Sequence, residues 1–248
     1  MATRKRGDIK LVFKSGEEVH CRNSWAAYGV VEYYALAEFW GADPELETIQ
    51  HVAADIEEKI GKAVSDGLLS YRGVGGGVGF TVLAGYLLIR LLKPQTVVET
   101  GVAQGASSYF FLKALDQNGA GKLISIDYPN RDPEGYRYDD KVDSVYVPRE
   151  LSPGWLVPDS LRTRWTLRLG RSSDVLPTLD TKIQMFHHDS EHSYKNMMFE
   201  YEWALQHVEK GGVIMSDDIG WSNAFQDFLG THKAELRPPH PDTKHPTS

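Results

Sequence analysis

The chain has 248 residues, of which 41% are hydrophobic and 25% charged, and its formal net charge is −7. That length and composition suit a folded α/β unit and exclude wholesale disorder, while the negative balance, with Lys and Arg spread along the chain, excludes a basic nucleic-acid footprint and favours a small-molecule partner. A single cysteine, Cys21, excludes an internal disulfide or a zinc site built of cysteines. Basic residues between Met1 and Lys10 are followed by no apolar stretch, and the longest apolar run, Val82 to Leu92, is interrupted by Gly85, Tyr86 and Arg90. Neither export nor membrane insertion is expected, and a cytoplasmic location follows.

Taken in chain order, the first predicted elements are helices over Trp25–Trp40 and Pro44–Leu69, the second carrying Ile49, Val52, Ile56, Ile60 and Val64 at helical spacing. Trp25, Tyr28, Tyr33, Tyr34 and Trp40 are expected to pack these helices rather than to cage a substrate. Between Arg72 and Phe80 stand Gly73, Gly75, Gly76, Gly77 and Gly79. No apolar strand precedes this run and no Gly-Lys-Ser/Thr ends it, so it reads as a lid or hinge, not a phosphate loop. Residues 1–79 are therefore an expected helical cap with its hinge. From Thr96 strands alternate with helices: strands at Thr96–Glu99, Lys122–Ile126, Trp165–Leu169, Ile183–His187 and Gly212–Met215, helices at Ser107–Leu115, near Asp174–Leu179 and at Tyr194–Val208. This alternation predicts that residues 80–236 form a doubly wound, mostly parallel α/β sheet. The Pro-, Tyr- and Asp-rich stretch from Pro129 to Arg164 lacks a period and is expected to be a long functional loop. Residues 237–248, with four prolines, are expected to be a flexible tail.

Ligands of such sheets bind beyond the carboxyl ends of the strands. The first of these strands ends in Glu99-Thr100-Gly101-Val102-Ala103-Gln104-Gly105-Ala106-Ser107. Gly101 permits a tight turn, Gly105 a close backbone approach, and the helix start offers N–H groups to a carboxylate. The Glu-x-Gly-x-x-x-Gly spacing departs from the dinucleotide fingerprint and favours S-adenosylmethionine over NAD. Asp127, 26 residues beyond Gly101, ends the next strand, where a carboxylate accepts from ribose hydroxyls. Alone it would read as a turn residue; its place relative to Glu99 and Gly101 decides for the ribose, with Tyr128 beside the adenine. Two later strands deliver Asp189 and the pair Asp217-Asp218 to the same edge. Three converging carboxylates repel unless a cation balances them, and oxygen ligands suit Mg²⁺, Mn²⁺ or Ca²⁺ better than zinc. His192, three residues after Asp189, is placed to take a substrate proton, although an isolated histidine there would read as a helix cap. His187 and His188 read as packing residues.

These residues resemble the class I S-adenosylmethionine-dependent methyltransferases, particularly the methyltransferase-24 group and its metal-dependent catechol O-methyltransferase-like relatives, over roughly Phe80 to Phe228. Val97-Val98-Glu99-Thr100-Gly101 with Gly105 and Ser107 is similar to the family's first motif, and Asp127 to its ribose-binding acid. Gly170-Arg171-Ser172-Ser173-Asp174 resembles the adenine-side loop, with Ser172 beside the base. His188-Asp189-Ser190-Glu191-His192-Ser193-Tyr194 resembles the Ile-Asp-Gly-Asp-His-Ser-Tyr signature. The resemblance implies a Rossmann-like methyltransferase fold binding S-adenosylmethionine, with Asp189, Asp217 and Asp218 holding Mg²⁺ or another hard divalent cation. It also implies that Asp189 and His192 are catalytic, His192 standing where the catechol enzymes have a lysine. A sugar, natural product or catechol hydroxyl is the implied methyl acceptor. The family's two further antiparallel strands have little room after Phe228, so that edge is expected to be missing, truncated or supplied by a partner subunit, and with aromatic residues on the N-terminal helices this makes a homodimer an expectation. The alternatives are metal-independent methyl transfer with Asp189 fixing the cofactor amine, a nucleotide-linked oxidoreductase, and a non-catalytic cofactor-binding protein.

Overall fold

The structure, a computed structural model, describes residues 9–13, 16–21, 24–74, 78–138 and 141–236. It opens with an antiparallel hairpin, β1 (Ile9–Val12) and β2 (Glu18–Cys21), that the sequence reading did not anticipate. The helices α1 (Ser24–Phe39) and α2 (Leu46–Ser65) follow. After α3 (Phe80–Leu92) come β3 (Thr96–Thr100), α4 (Ala106–Gln117) and β4 (Lys122–Asp127). A small hairpin, β5 (Tyr136–Tyr138) and β6 (Lys141–Asp143), precedes β7 (Trp165–Leu169) and α5 (Ser172–Val175). The described chain closes with β8 (Ile183–His188), α6 (Tyr194–His207), β9 (Val208–Ser216) and α7 (Ala224–Thr231).

Five strands form one parallel sheet in the order β7-β4-β3-β8-β9. Neighbours Val97 and Val98 on β3 point to opposite faces, and both are fully buried. Val97 joins α3 and α4 side chains such as Leu83 and Phe111, whereas Val98 joins Val175 of α5 and Trp203 and Ala204 of α6. Covered on both faces, β3 can be apolar at successive positions, as parallel strands usually are. The chain runs outward from β3 through β4 to β7, then returns past β3 to β8 and β9. That reversal sets the switch point between β3 and β8, where Glu99 stands beside His187 and Thr100 beside His188.

The N-terminal elements share the core of the sheet domain. Val19, Tyr33, Ile49 and Ile56 belong to the same buried cluster as Leu83, Tyr86 and Phe110. α1 lies so close to the start of α3 that a Cβ on Gly29 would meet Phe80 N at 3.0 Å.

The stretch expected to be a long loop is tied down. Beyond the β5–β6 hairpin, Gly154 N–H donates to Ala103 O (2.9 Å) and Leu156 N–H to Gln104 O (3.1 Å), while Gln104 Nε2 donates to Gly73 O and Tyr146 O. The loop is thus fastened to the turn after β3. β9 is longer than expected because a register shift opposite Ile183–Met185 lets pairing resume from Val208. No strand follows β9 among the described residues. Gly75, Gly76 and Gly77 of the expected hinge, and the expected tail 237–248, lie outside the described residues.

Candidate active site

A cavity of about 1080 Å³ opens at the carboxyl ends of β3, β4, β8 and β9. Its wall includes Gly101, Gly105, Ser107, Asp127, Tyr128, Ser172, Asp189, His192, Asp217 and Asp218, so the structure gathers nearly every residue singled out from the sequence. Glu99 stands behind that wall. Fully buried, it accepts hydrogen bonds from Ser107 Oγ (2.5 Å), Ser108 Oγ (2.6 Å) and Ser125 Oγ (2.7 Å), and so locks the start of α4 to β3 and β4.

Gly101 has φ +82°, and a Cβ there would sit 1.8 Å from Asp189 O. Glycine is needed both for the left-handed turn and for the contact between the β3 and β8 turns. Gly105, at φ +95°, is equally confined, but by Gly154 Cα, 2.6 Å from its hypothetical Cβ; the close approach expected there is made by the protein's own loop.

Asp127 Oδ1 accepts from Val102 N–H (3.0 Å) and Ala103 N–H (3.5 Å). Its Oδ2 is buried without a partner. Burial pushes the carboxyl up to about 6 in spite of the two N–H groups. A buried acceptor atom on a cavity wall is costly unless a donor arrives, and a ribose hydroxyl is such a donor. Tyr128 is 65% exposed at the rim, with the Arg171 guanidinium 5.2 Å from its ring centroid. Ser172 Oγ donates to Asn196 Oδ1 (3.1 Å) at the start of α5. These residues suit an adenosyl group with an amino-acid tail.

The opposite end of the cavity is acidic. Burial, followed by Asp217, Glu99, Asp218 and Asp143, raises the Asp189 pKa well above the ordinary carboxylate value. Asp217 Oδ1 accepts from Thr81 Oγ1 (3.0 Å) and from the N–H of Asp218 (2.9 Å). Asp218 has a left-handed backbone, φ 47°. The expected ligand set of Asp189, Asp217 and Asp218 is therefore not closed: among the described residues, no group of three or more His, Cys, Asp or Glu side chains is arranged to hold a metal ion. The carboxylates share a region, but Asp217 Oδ1 already accepts from two protein donors.

His192, 6% exposed, lines the cavity with Nε2 3.8 Å from Asp189 Oδ1 and no hydrogen-bond partner. Burial, and then His188, lowers its pKa to about 3, so the ring is neutral at ordinary pH. The cap of α6 is Ser193, whose Oγ accepts from Asn196 N–H, so the capping role weighed for His192 is filled by its neighbour.

Sequence reasoning missed Thr81, Asp143 and Glu200. Glu200 lies on the buried side of α6 with Met197, Tyr201 and Ala204, and a carboxylate at the spacing of an apolar face was the available signal. His188, expected merely to pack, has its Nδ1 2.6 Å from Glu200 Oε2. Burial opposes ionisation of Glu200, but His188 and the hydroxyl donors outweigh it and lower the pKa to about 2.

A parallel sheet with a glycine turn, a strand-end acid and a cavity at its switch point is the arrangement of Rossmann-like folds that bind nucleoside cofactors, the class I S-adenosylmethionine-dependent methyltransferases among them. A family model described as a methyltransferase domain matches residues 98–219. Those residues are thus a methyltransferase domain by that model. The fold is similar to an O-methyltransferase from Bacillus cereus solved in complex with S-adenosylhomocysteine, at 16% identity, 74% coverage of this chain, 80% of that chain and a TM-score of 0.50. It is similar as well to a proposed O-methyltransferase from Klebsiella pneumoniae, at 21% identity, 86% and 87% coverage and a TM-score of 0.52. No curated protein matches the chain in sequence.

Proposed function

We propose that the chain methylates a hydroxyl oxygen of a small molecule, such as a sugar, a natural product or a catechol. The observation that carries this reading is His192: a buried, neutral imidazole on the cavity wall whose unpartnered Nε2 lies 3.8 Å from Asp189 Oδ1. S-adenosylmethionine, when bound, supplies an electrophilic methyl group on a sulfonium. Asp127 would hold its ribose, Tyr128 and Ser172 its adenine end, and Gly101, Gly105 and Ser107 the turn facing its amino-acid tail. Asp189 and His192 would orient the acceptor hydroxyl for in-line attack. His192 Nε2 would take the hydroxyl proton when the acceptor oxygen gains the methyl group that the sulfonium gives up. About 1080 Å³ exceeds the usual size of a single-ligand pocket and leaves room for cofactor and acceptor together.

We further propose that the acidic end holds a divalent cation, Mg²⁺ first. A cation there would offset the mutual repulsion around Asp189, and among the described residues the three aspartates do not form a ligand set for it as placed. A homodimer is proposed on the outward-facing Tyr28 and Phe39 of α1, 62% and 63% exposed, and on the edge position of β9. Sedimentation as a monomer at micromolar concentration would remove it. No helix among the described residues is long and apolar enough to cross a membrane; a cytoplasmic site of action is proposed on the one unpaired, buried Cys21.

Calorimetric titration of S-adenosylhomocysteine, with and without Mg²⁺ and a panel of hydroxyl acceptors, tests the reading. Micromolar binding and an acceptor-dependent release of S-adenosylhomocysteine from S-adenosylmethionine are expected. Failure to bind would overturn the assignment. Binding without turnover on any acceptor, together with unchanged function after loss of His192, would favour a non-catalytic cofactor-binding protein.

A further inference from the structure

Glu200 is fully buried, and both of its oxygens are in use. Oε2 accepts from Thr100 Oγ1 (2.5 Å) and lies 2.6 Å from His188 Nδ1; Oε1 accepts from Ser190 Oγ (2.6 Å) and Asn196 Nδ2 (3.0 Å). These four partners belong to the end of β3, the end of β8, the turn after β8 and the first turn of α6. The His188 ring in turn meets the His192 ring edge-on, with centroids 5.1 Å apart, and the Tyr201 ring at 5.4 Å. Asp189, which carries the cavity-facing carboxylate, lies between His188 and Ser190 in the chain, both of them bonded to Glu200.

A carboxylate buried this deeply is expensive unless fully bonded, and an apolar side chain fills such a place at lower cost when only stability is at stake. What the carboxylate adds is orientation. Four donors in fixed directions leave one ring rotamer for His188 and one course for the turn.

We propose that Glu200 is a positioning residue for the methyl-transfer site: through His188 it fixes the surface on which the His192 ring rests, and through Ser190 it fixes the turn that aims Asp189 into the cavity. The proposal rests on the reading that Asp189 and His192 face the reacting groups. It explains why the two adjacent histidines of β8 differ, His187 lying 3.9 Å from Glu99 with neither ring nitrogen hydrogen-bonded, and His188 held at 2.6 Å.

The test is proton–nitrogen correlation of the histidine rings in full-length protein saturated with S-adenosylhomocysteine. Wild type is expected to show His188 protonated at Nδ1. Glu200→Gln replaces one accepting oxygen by an amide donor, which must face either the His188 and Thr100 pair or the Ser190 and Asn196 pair. The His188 or His192 ring signals are then expected to move, while S-adenosylhomocysteine affinity stays within about threefold. Ser190→Ala removes the hydroxyl that donates to Glu200 Oε1 and accepts from Asn196 Nδ2 but leaves the Glu200–His188 contact; it should shift the His192 signals while leaving the His188 pattern unchanged, even if Glu200→Gln fails to fold. Ring patterns unchanged in Ser190→Ala, or in folded Glu200→Gln, overturn the proposal. Failure of wild type to bind S-adenosylhomocysteine would instead overturn the functional reading on which it rests.

Discussion

Glu99 and Asp189 are carboxylates at the ends of adjacent strands, yet the first shares its oxygens among three serine hydroxyls while the second meets the charges of Asp217, Asp218 and Asp143. The same contrast runs through the two ends of the cavity. At the cofactor end the turn after β3 is confined by Asp189 O and Gly154 Cα, and among its carboxylates one atom, Asp127 Oδ2, is left to receive a ligand. At the acceptor end repelling carboxylates and an unpartnered imidazole nitrogen stand together. One end is built before ligand arrives; the other holds unspent polarity that a ligand must satisfy.

The largest effect is expected at the acceptor end. His192→Gln should lower kcat by about 10²- to 10⁴-fold, the usual contribution of a positioned general base, with S-adenosylhomocysteine affinity unchanged in calorimetry. Equal loss of kcat and cofactor affinity would erase the division between the two ends. With its pKa lowered to about 3, His192 stays neutral across the assay range, so the rate profile should show no histidine limb near pH 6.5. The linkage has the matching sign: the unfolded ring takes a proton first, so stability present above pH 6.5 is lost as pH falls from there toward 3.

Next in size is Gly101→Ala. The left-handed φ and the 1.8 Å contact with Asp189 O predict a loss of about 3 kcal/mol or more in denaturant unfolding. A milder loss would mean that the two turns can part, and that the cofactor end is less rigid than its contacts indicate. Asp127→Asn should move two observables in opposite directions. The folded carboxyl titrates at about 6 against an ordinary 3.8, so the folded state binds more protons between these values and loses stability as pH rises through them. Removing the charge should stabilise ligand-free protein by about 1–3 kcal/mol at pH 7 and weaken S-adenosylhomocysteine binding by about 10- to 100-fold. Wild-type affinity should also fall below pH 6, and the Asn variant should be flat there.

The same contrast explains what could be read from the chain. Gly101, Gly105 and Asp127 were legible because a left-handed turn and a strand-end acid restrict residue type at fixed spacing. The sheet was legible because short apolar runs, such as Val97-Val98 in β3 and Val213-Ile214-Met215 in β9, alternate with helical stretches. The β1–β2 hairpin was not, since its strands are only four residues long and owe their place to packing on α1 and α2. Nor was the partner of Gly105: Gly154 lies 49 residues further on, in a stretch without a period, and only the fold brings them together. The aspartate cluster was correctly gathered at one edge, but Thr81, on a helix far earlier in sequence, claims Asp217 and could not be foreseen.

The smallest effect tests the one exposed wall of the cofactor end. Arg171 covers one face of Tyr128, at 5.2 Å, and Tyr128 remains 65% exposed, so its other face is free to pack on an adenine. Arg171→Ala should then weaken S-adenosylhomocysteine two- to fivefold, about 0.5–1 kcal/mol, by releasing the ring from its stack. Tyr128→Ala should cost a similar amount, and the double variant should cost little more than either single one, because the arginine acts through the ring. Additive losses would mean that Arg171 touches the cofactor directly. No loss in Tyr128→Ala would confine cofactor recognition to the preformed turn and Asp127, leaving the rim, like the acceptor end, to be shaped by whatever binds there.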